Sequence, residues 1–177
     1  MRKIVLALAL ALVAVSAVAQ QIWTGGGGRG TRPRWAQPED FDGQFMYCRG
    51  AFSGGWTTDY PGADNNFSIR LAELTRITVK FDEDRQPHHI VVRLDDPLMY
   101  RCPIVFMENP GSMELTDDEV ASLRDYLIRG GFVWVDDFWG TYQWEQWESQ
   151  IARVLPPNEY PIIDVPITHP SCTCCTT

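Results

Sequence analysis

From Phe41 onward, two apolar periodicities alternate along the chain. Gln44 to Phe52 carries Phe45, Met46, Tyr47 and Phe52 and predicts a strand, followed by a loop over 54–62. Asp64 is placed to cap a helix whose Phe67, Leu71 and Leu74 are spaced by four and three, the repeat of one helical face. Ile77 to Phe81 alternates, and His89 to Leu94 is β-branched, so each predicts a strand. Ile104-Val105-Phe106-Met107 is short and wholly apolar, as expected of a strand covered on both faces. Thr116-Asp117-Asp118-Glu119 is a capping-box sequence, since the Thr hydroxyl and the Glu carboxylate can satisfy each other's orphan amides. Val120, Leu123 and Leu127 continue that helix, and Gly130 stops it. Phe132 to Val135 predicts another strand, residues 141–155 a helix with Trp144, Trp147, Ile151 and Leu155 on one face, and Ile162 to Val165 a last strand. Strand–helix–strand order implies parallel strands joined by right-handed crossovers, hence an α/β doubly wound sheet. Helical spacing favours core packing for the Trp stripe over a stacking platform.

The ends break this pattern. Arg2 and Lys3 precede an unbroken apolar run from Ile4 to Val15, and Ala17-Val18-Ala19 supplies a small-x-small cleavage pattern. The run is shorter than the roughly 20 residues of a membrane span, so the reading is a signal peptide over 1–19 rather than an uncleaved anchor. Export to the periplasm or beyond follows, with no stable membrane insertion after cleavage. Removing it leaves 158 of the 177 residues and takes the net charge from −8 to −10. So acidic a chain is a poor partner for nucleic acid or an anionic membrane. Residues 20–38, with Gly25 to Gly28, Gly30, Pro33 and Pro38, read as a flexible linker. A phosphate-cradling loop would need a strand before the glycines and a helix after them. The domain then occupies 39–170, and 171–177 is a Cys-rich tail.

Open parallel sheets bind ligands beyond the carboxyl ends of their strands. That rule gathers Glu108 and Asn109 after one strand, Asp136 and Asp137 after the next, and His169 beyond the last. The segment after the first strand adds Asp59, Tyr60, Asp64, Asn65 and Asn66. Asp136, Asp137, Glu108 and His169 are the candidates for acid–base chemistry or cation binding. Asp59, Tyr60, Asn65 and Asn66 are the candidates for ligand binding. Against this stands a plain structural role, in which Asp64 and Thr116 cap helices and the others order loops. His88 and His89 belong to a strand start. No Gly-x-Ser-x-Gly elbow occurs, no dedicated metal-ligand set stands out, and the residues leave the cofactor unknown. Of five cysteines, Cys48 and Cys102 lie within the domain, where a disulfide and two buried thiols are both open readings.

The stretches Tyr47-Cys48-Arg49, Gly55-Trp56-Thr57-Thr58-Asp59-Tyr60-Pro61, Asn65 to Leu71, Leu94-Asp95-Asp96-Pro97 and Gly130 to Gly140, with its Val-Asp-Asp-Phe-Trp-Gly core, resemble domain-of-unknown-function family 4159 over about Phe45 to Pro170. The helix, Gly-Gly and apolar strand also resemble class I glutamine-amidotransferase-like domains. That likeness implies a three-layer, flavodoxin-like fold with a mostly parallel sheet. It carries over no amidotransferase activity, because the Gly-x-Cys-x-Gly elbow is missing. Family members continue past a His-Pro like His169-Pro170 with an apolar segment and a further histidine. The codons CCC ATC CTG CAC CTG CTG TAC GAC G encode such a continuation, Pro-Ile-Leu-His-Leu-Leu-Tyr-Asp. With one C deleted from the first codon they encode Pro-Ser-Cys-Thr-Cys-Cys-Thr-Thr, the sequence of residues 170–177. The expectation is therefore a frameshifted tail on a sheet incomplete at its C-terminus, which genomic DNA read past codon 170 would test.

Three functional readings result. The leading one is an exported domain that binds a small ligand or a protein of the cell envelope. The others are a carboxylate-based hydrolase, metal-assisted or not, and a truncated remnant without function.

Overall fold

The computed structural model describes residues 32–169. The expected signal segment over 1–19, residues 20–31 of the expected linker and the tail over 171–177 lie outside the described residues. Four strands form the sheet: β1 (Tyr47–Ala51), β2 (His89–Arg93), β3 (Ile104–Glu108) and β4 (Phe132–Asp136). Their order is β2-β1-β3-β4, and every pairing is parallel. This is the flavodoxin-like order, with the switch point between β1 and β3. Three helices follow the strands: α1 (Gly62–Leu74), α2 (Asp117–Ile128) and α3 (Gly140–Val154). The β1-to-β2 and β3-to-β4 connections run in opposite directions across the sheet. Right-handed crossovers therefore place α1 on one face and α2 on the other.

Local sequence accounts for much of this. The Thr116–Glu119 capping box forms as expected, and Gly130 ends α2 in a left-handed conformation, φ 95°. Leu123 is buried, with Val120 and Leu127 packed against the core beside it. The Tyr126 hydroxyl donates to the carbonyl of Cys102 at 2.9 Å, which ties α2 to the segment entering β3. Cys48 and Cys102 are joined by a disulfide, Cα–Cα 6.1 Å, which settles the two open readings for these residues.

Several expectations change. Helix α1 begins at Gly62 after Pro61, and the Asp64 side chain makes no cap bond. It turns inward instead, so that the buried face of α1 presents Asp64 and Ser68, while Leu74 is 80% exposed. Phe67 packs edge-on against Tyr47 and Phe106. The helix is drawn to the sheet by a buried charge as well as by its apolar stripe. Ile77 to Phe81 makes only isolated bridges, Phe45 with Val79 and Phe81 with Pro87. Residues 161–166 form no strand and are exposed. Pro161 and Pro166 bracket them, and each lacks the N–H a ladder needs. On α3, Trp147, Ile151 and Leu155 pack against the core as expected. Trp144 remains partly exposed and packs at a tilt against Trp147, with ring centres 5.0 Å apart.

Candidate functional site

An arginine inside an apolar strand has to find buried partners, because an unpaired buried charge is costly. Arg49, at the middle of β1, is wholly buried and uses all five of its donors. Its Nε donates to both carboxylate oxygens of Asp64, at 3.0 and 3.2 Å. Nη2 bonds Asp64 again and donates to Glu108 Oε1 at 2.9 Å. Nη1 donates to the carbonyls of Trp56 and Thr58, both at 3.1 Å. One side chain thus links the loop after β1, the first turn of α1 and the end of β3. Burial opposes its charge, but the bonds and attraction to Asp64 and Glu108 together outweigh that and hold its pKa above the usual range. The rings of Tyr47 and Tyr60 lie 5.8 and 5.6 Å from the guanidinium carbon.

Glu108 closes the network. Tyr47 donates its hydroxyl to Glu108 Oε1 at 3.1 Å. Burial pushes the Glu108 carboxyl above its ordinary pKa, and the Arg49 bond offsets this only in part. Burial likewise raises the Tyr47 phenol far above its ordinary value. Among the described residues no donor reaches Glu108 Oε2. Asp136 is the register partner of Glu108 across β3 and β4, so both side chains stand on the same face. Asp136 is exposed and accepts from the Trp134 indole at 3.2 Å.

Three non-glycine residues beyond strand ends adopt left-handed backbone: Asp59 after β1, Asn109 after β3 and Asp137 after β4, with φ of 54°, 50° and 66°. Such conformations cost on the order of 1 kcal/mol each and concentrate at functional turns. The loops after β1 and β3 are joined across the switch point. Glu114 N–H donates to the Ser53 carbonyl and Gly55 N–H to Ser112 Oγ, both at 3.1 Å. Gly54, at φ 138°, is required there, because a Cβ would sit 2.7 Å from the Ser112 carbonyl oxygen. Beside this seam, beyond the carboxyl ends of β1 and β2, lies a cleft of about 590 Å³. Trp35 and Phe52 give it an apolar wall, and Ser53, Arg93, Ser112 and Glu114 give it polar groups.

The structure therefore brings Glu108 and Asp136 together and separates the other candidates from them. Asp137 is half-buried in its turn, and His169 is exposed on the irregular C-terminal segment. Asp59 and Asn66 are exposed. Tyr60 is buried and accepts from the Arg34 backbone N–H at 3.1 Å. Asn65 Oδ1 lies 3.1 Å from His89 Nδ1, and burial lowers the His89 pKa. Tyr60 and Asn65 thus contact Arg34 and His89 respectively. Among the described residues, no three His, Cys, Asp or Glu side chains are grouped to hold a metal ion. The two described cysteines are both in the disulfide, so neither offers a thiol nucleophile. Arg49, Trp35 and Arg93 belong to no site motif in the sequence, although an arginine within an apolar strand is itself a signal of buried partners.

Residues 44–173 match the sequence pattern of a domain of unknown function, DUF4159. The chain belongs to the DUF4159 family. The match spans most of the chain and takes in all four strands and all three helices. No curated protein matches the chain.

Proposed function

We propose that this DUF4159 chain is an exported ligand-binding module of the cell envelope. The cleft beyond the carboxyl ends of β1 and β2 carries the reading. It is concave, lies where open parallel sheets take ligands, and combines an apolar wall with a few polar groups. Among the described residues its one arginine, Arg93, has only Nε engaged, with Asp95 at 3.2 Å. The guanidinium end thus remains for a ligand. The basic start, apolar run and Ala-x-Ala pattern at the N-terminus support export. The Cys48–Cys102 bridge supports an oxidising compartment.

The test is a ligand screen by thermal shift on the purified chain, repeated with Arg93→Ala and Ser112→Ala. A binder should raise Tm in the native chain and lose that effect in both variants. A shift that persists unchanged in both would place the ligand elsewhere and overturn the assignment.

A hydrolase reading draws on one observation. The carboxyl of Glu108, raised by burial, stands beside Asp136 with Oε2 uncommitted. If it holds, hydrolysis found in a substrate screen should disappear in Glu108→Gln and Asp136→Asn while folding is retained. Turnover that survives both changes would eliminate this pair as the acid–base groups.

A further inference from the structure

Two opposite charges line the cleft beyond β1 without pairing with each other. Arg93 ends β2 and is the register partner of Ala51, on one side of β1. Glu114 bridges Ser53 on the other side, its N–H donating to the Ser53 carbonyl at 3.1 Å. Both residues line the cleft and are exposed. Among the described residues Arg93 bonds only Asp95, through Nε, and no donor reaches the Glu114 carboxylate. Two strand spacings separate their backbones, about 10 Å. The cleft belongs to the β2–β1 side of the sheet, and none of its lining residues comes from β4.

The other lining groups fix what could bridge that gap. Ser112 Oγ accepts from the Gly55 N–H at 3.1 Å, which leaves the hydroxyl proton to donate. Glu119 is committed to the α2 cap, its Oε2 accepting from the Thr116 N–H at 2.8 Å and the Thr116 hydroxyl at 3.1 Å. The uncommitted carboxylate is therefore Glu114. The apolar wall consists of Phe52 and the half-buried Trp35, which packs on Trp56 with ring centres 6.2 Å apart. A plain anion drawn to Arg93 would also meet Glu114, and a plain cation drawn to Glu114 would also meet Arg93. A small ligand that carries both charges satisfies both residues and meets no like charge.

We propose that the cleft takes a free α-amino acid with an apolar side chain. This rests on the ligand-binding reading of the cleft and names the chemistry recognised there. The α-carboxylate pairs with the free guanidinium end of Arg93, whose planar fork matches it, and Ser112 Oγ supplies a further donor. The α-ammonium pairs with the Glu114 carboxylate. With its two charges within about 3 Å and a charge-assisted bond of about 2.8 Å at each end, such a ligand bridges about 8 Å. That fits inside the separation of the two backbones. A dipeptide adds a residue of about 3.5 Å and overfills it. The apolar side chain lies on Trp35 and Phe52, in a cleft of about 590 Å³.

Titration calorimetry with L-phenylalanine, L-leucine, N-acetyl-L-phenylalanine and L-phenylalaninamide tests it. The native chain should bind a free amino acid and hold each derivative about 10-fold more weakly or worse, since each lacks one charged bond. Arg93→Gln should bind L-phenylalanine more weakly and no longer distinguish it from the amide. Glu114→Gln should do the same with respect to the acetyl derivative. Both residues are exposed, so the variants should fold, which far-ultraviolet dichroism checks. A native chain that binds neither L-phenylalanine nor L-leucine overturns the proposal. So does one that holds the derivatives equally well, or that prefers glycyl-L-phenylalanine. The two readings fail separately. A thermal-shift ligand that lacks one of the two charges yet depends on Arg93 and Ser112 overturns the amino acid and keeps the cleft. A screen with no ligand dependent on those residues overturns both.

Discussion

Strands β2 and β4 close the same sheet on opposite sides. Both have five residues, both contain an apolar triplet, and they meet their surroundings differently. The outer edge of β2 is occupied. Val91 N–H donates to the Arg34 carbonyl at 2.7 Å, and Ala36 N–H donates to the Val91 carbonyl at 2.9 Å. Ile90, Val91 and Val92 are fully buried there. Along β4 exposed and half-buried residues alternate, and the outer edge is bare among the described residues. Apolar composition thus announces a strand without saying whether anything covers it. Cover depends on strand order and on segments remote in sequence. The disulfide and the Arg49 network both anchor β1, next to β2 and away from β4, so stability should concentrate there.

The largest effect is expected at Arg49. Arg49→Met leaves Asp64 buried without its partner and should cost about 3–5 kcal/mol by denaturant unfolding. Adding Asp64→Leu should recover part of the loss, since a buried ion pair replaced by apolar groups is often close to neutral. Failure of the double variant to regain stability would show that the bonds to the Trp56 and Thr58 carbonyls, rather than the ion pair, hold the loop. Next comes the disulfide, which closes a 54-residue separation. Replacing both Cys48 and Cys102 with Ala should cost about 2–4 kcal/mol. A loss below that range would mean that the surrounding core already restrains the unfolded chain.

The covering segment of β2 is tested by Ala36→Pro, which deletes the N–H bonded to Val91. Leaving a buried carbonyl unsatisfied should cost about 1–3 kcal/mol. Hydrogen exchange should quicken at Val91 and remain unchanged at Val105 in β3. Equal loosening of both strands would show that the sheet opens as one unit and that the two edges do not differ in stability.

These contrasts mark what the sequence could reveal. Strand β3, the Thr116–Glu119 cap and the stop at Gly130 were legible because each is set by neighbours within a few residues. The rule for parallel sheets located Glu108, Asn109, Asp136 and Asp137 at strand ends. Asp64 reads as a cap in the sequence because its partner, Arg49, is 15 residues away and the pairing depends on how α1 packs. Trp35 and Arg93 of the cleft belong to segments that meet only in the folded sheet. Ile162 to Val165 looked like a strand by composition, yet pairing needs a docked edge, and Pro161 and Pro166 limit its ladder.

A smaller effect is predicted at Glu108, where the two halves of the sheet meet. Its pKa is raised in the folded state above the ordinary 4.5. Stability from that shift is fully present below the ordinary carboxylate range and is lost as pH rises through the folded pKa. Glu108→Gln keeps an acceptor for Tyr47 and Arg49 and carries no charge. The native chain should therefore lose stability relative to this variant as pH rises above about 4.5. Unfolding curves for both proteins from acid to neutral pH give the difference directly. A difference that moves the other way would mean that the attraction to Arg49 outweighs burial at Glu108.

The smallest intrinsic effect belongs to β4. Trp134 is half exposed, and its indole bond to Asp136 lies at the surface. Trp134→Lys should change unfolding free energy by no more than about 0.5 kcal/mol, well below the loss expected for Ala36→Pro on the other edge. Denaturant unfolding of the two variants compares them directly. A loss at Trp134→Lys as large as that at Ala36→Pro would remove the energetic distinction between the edges.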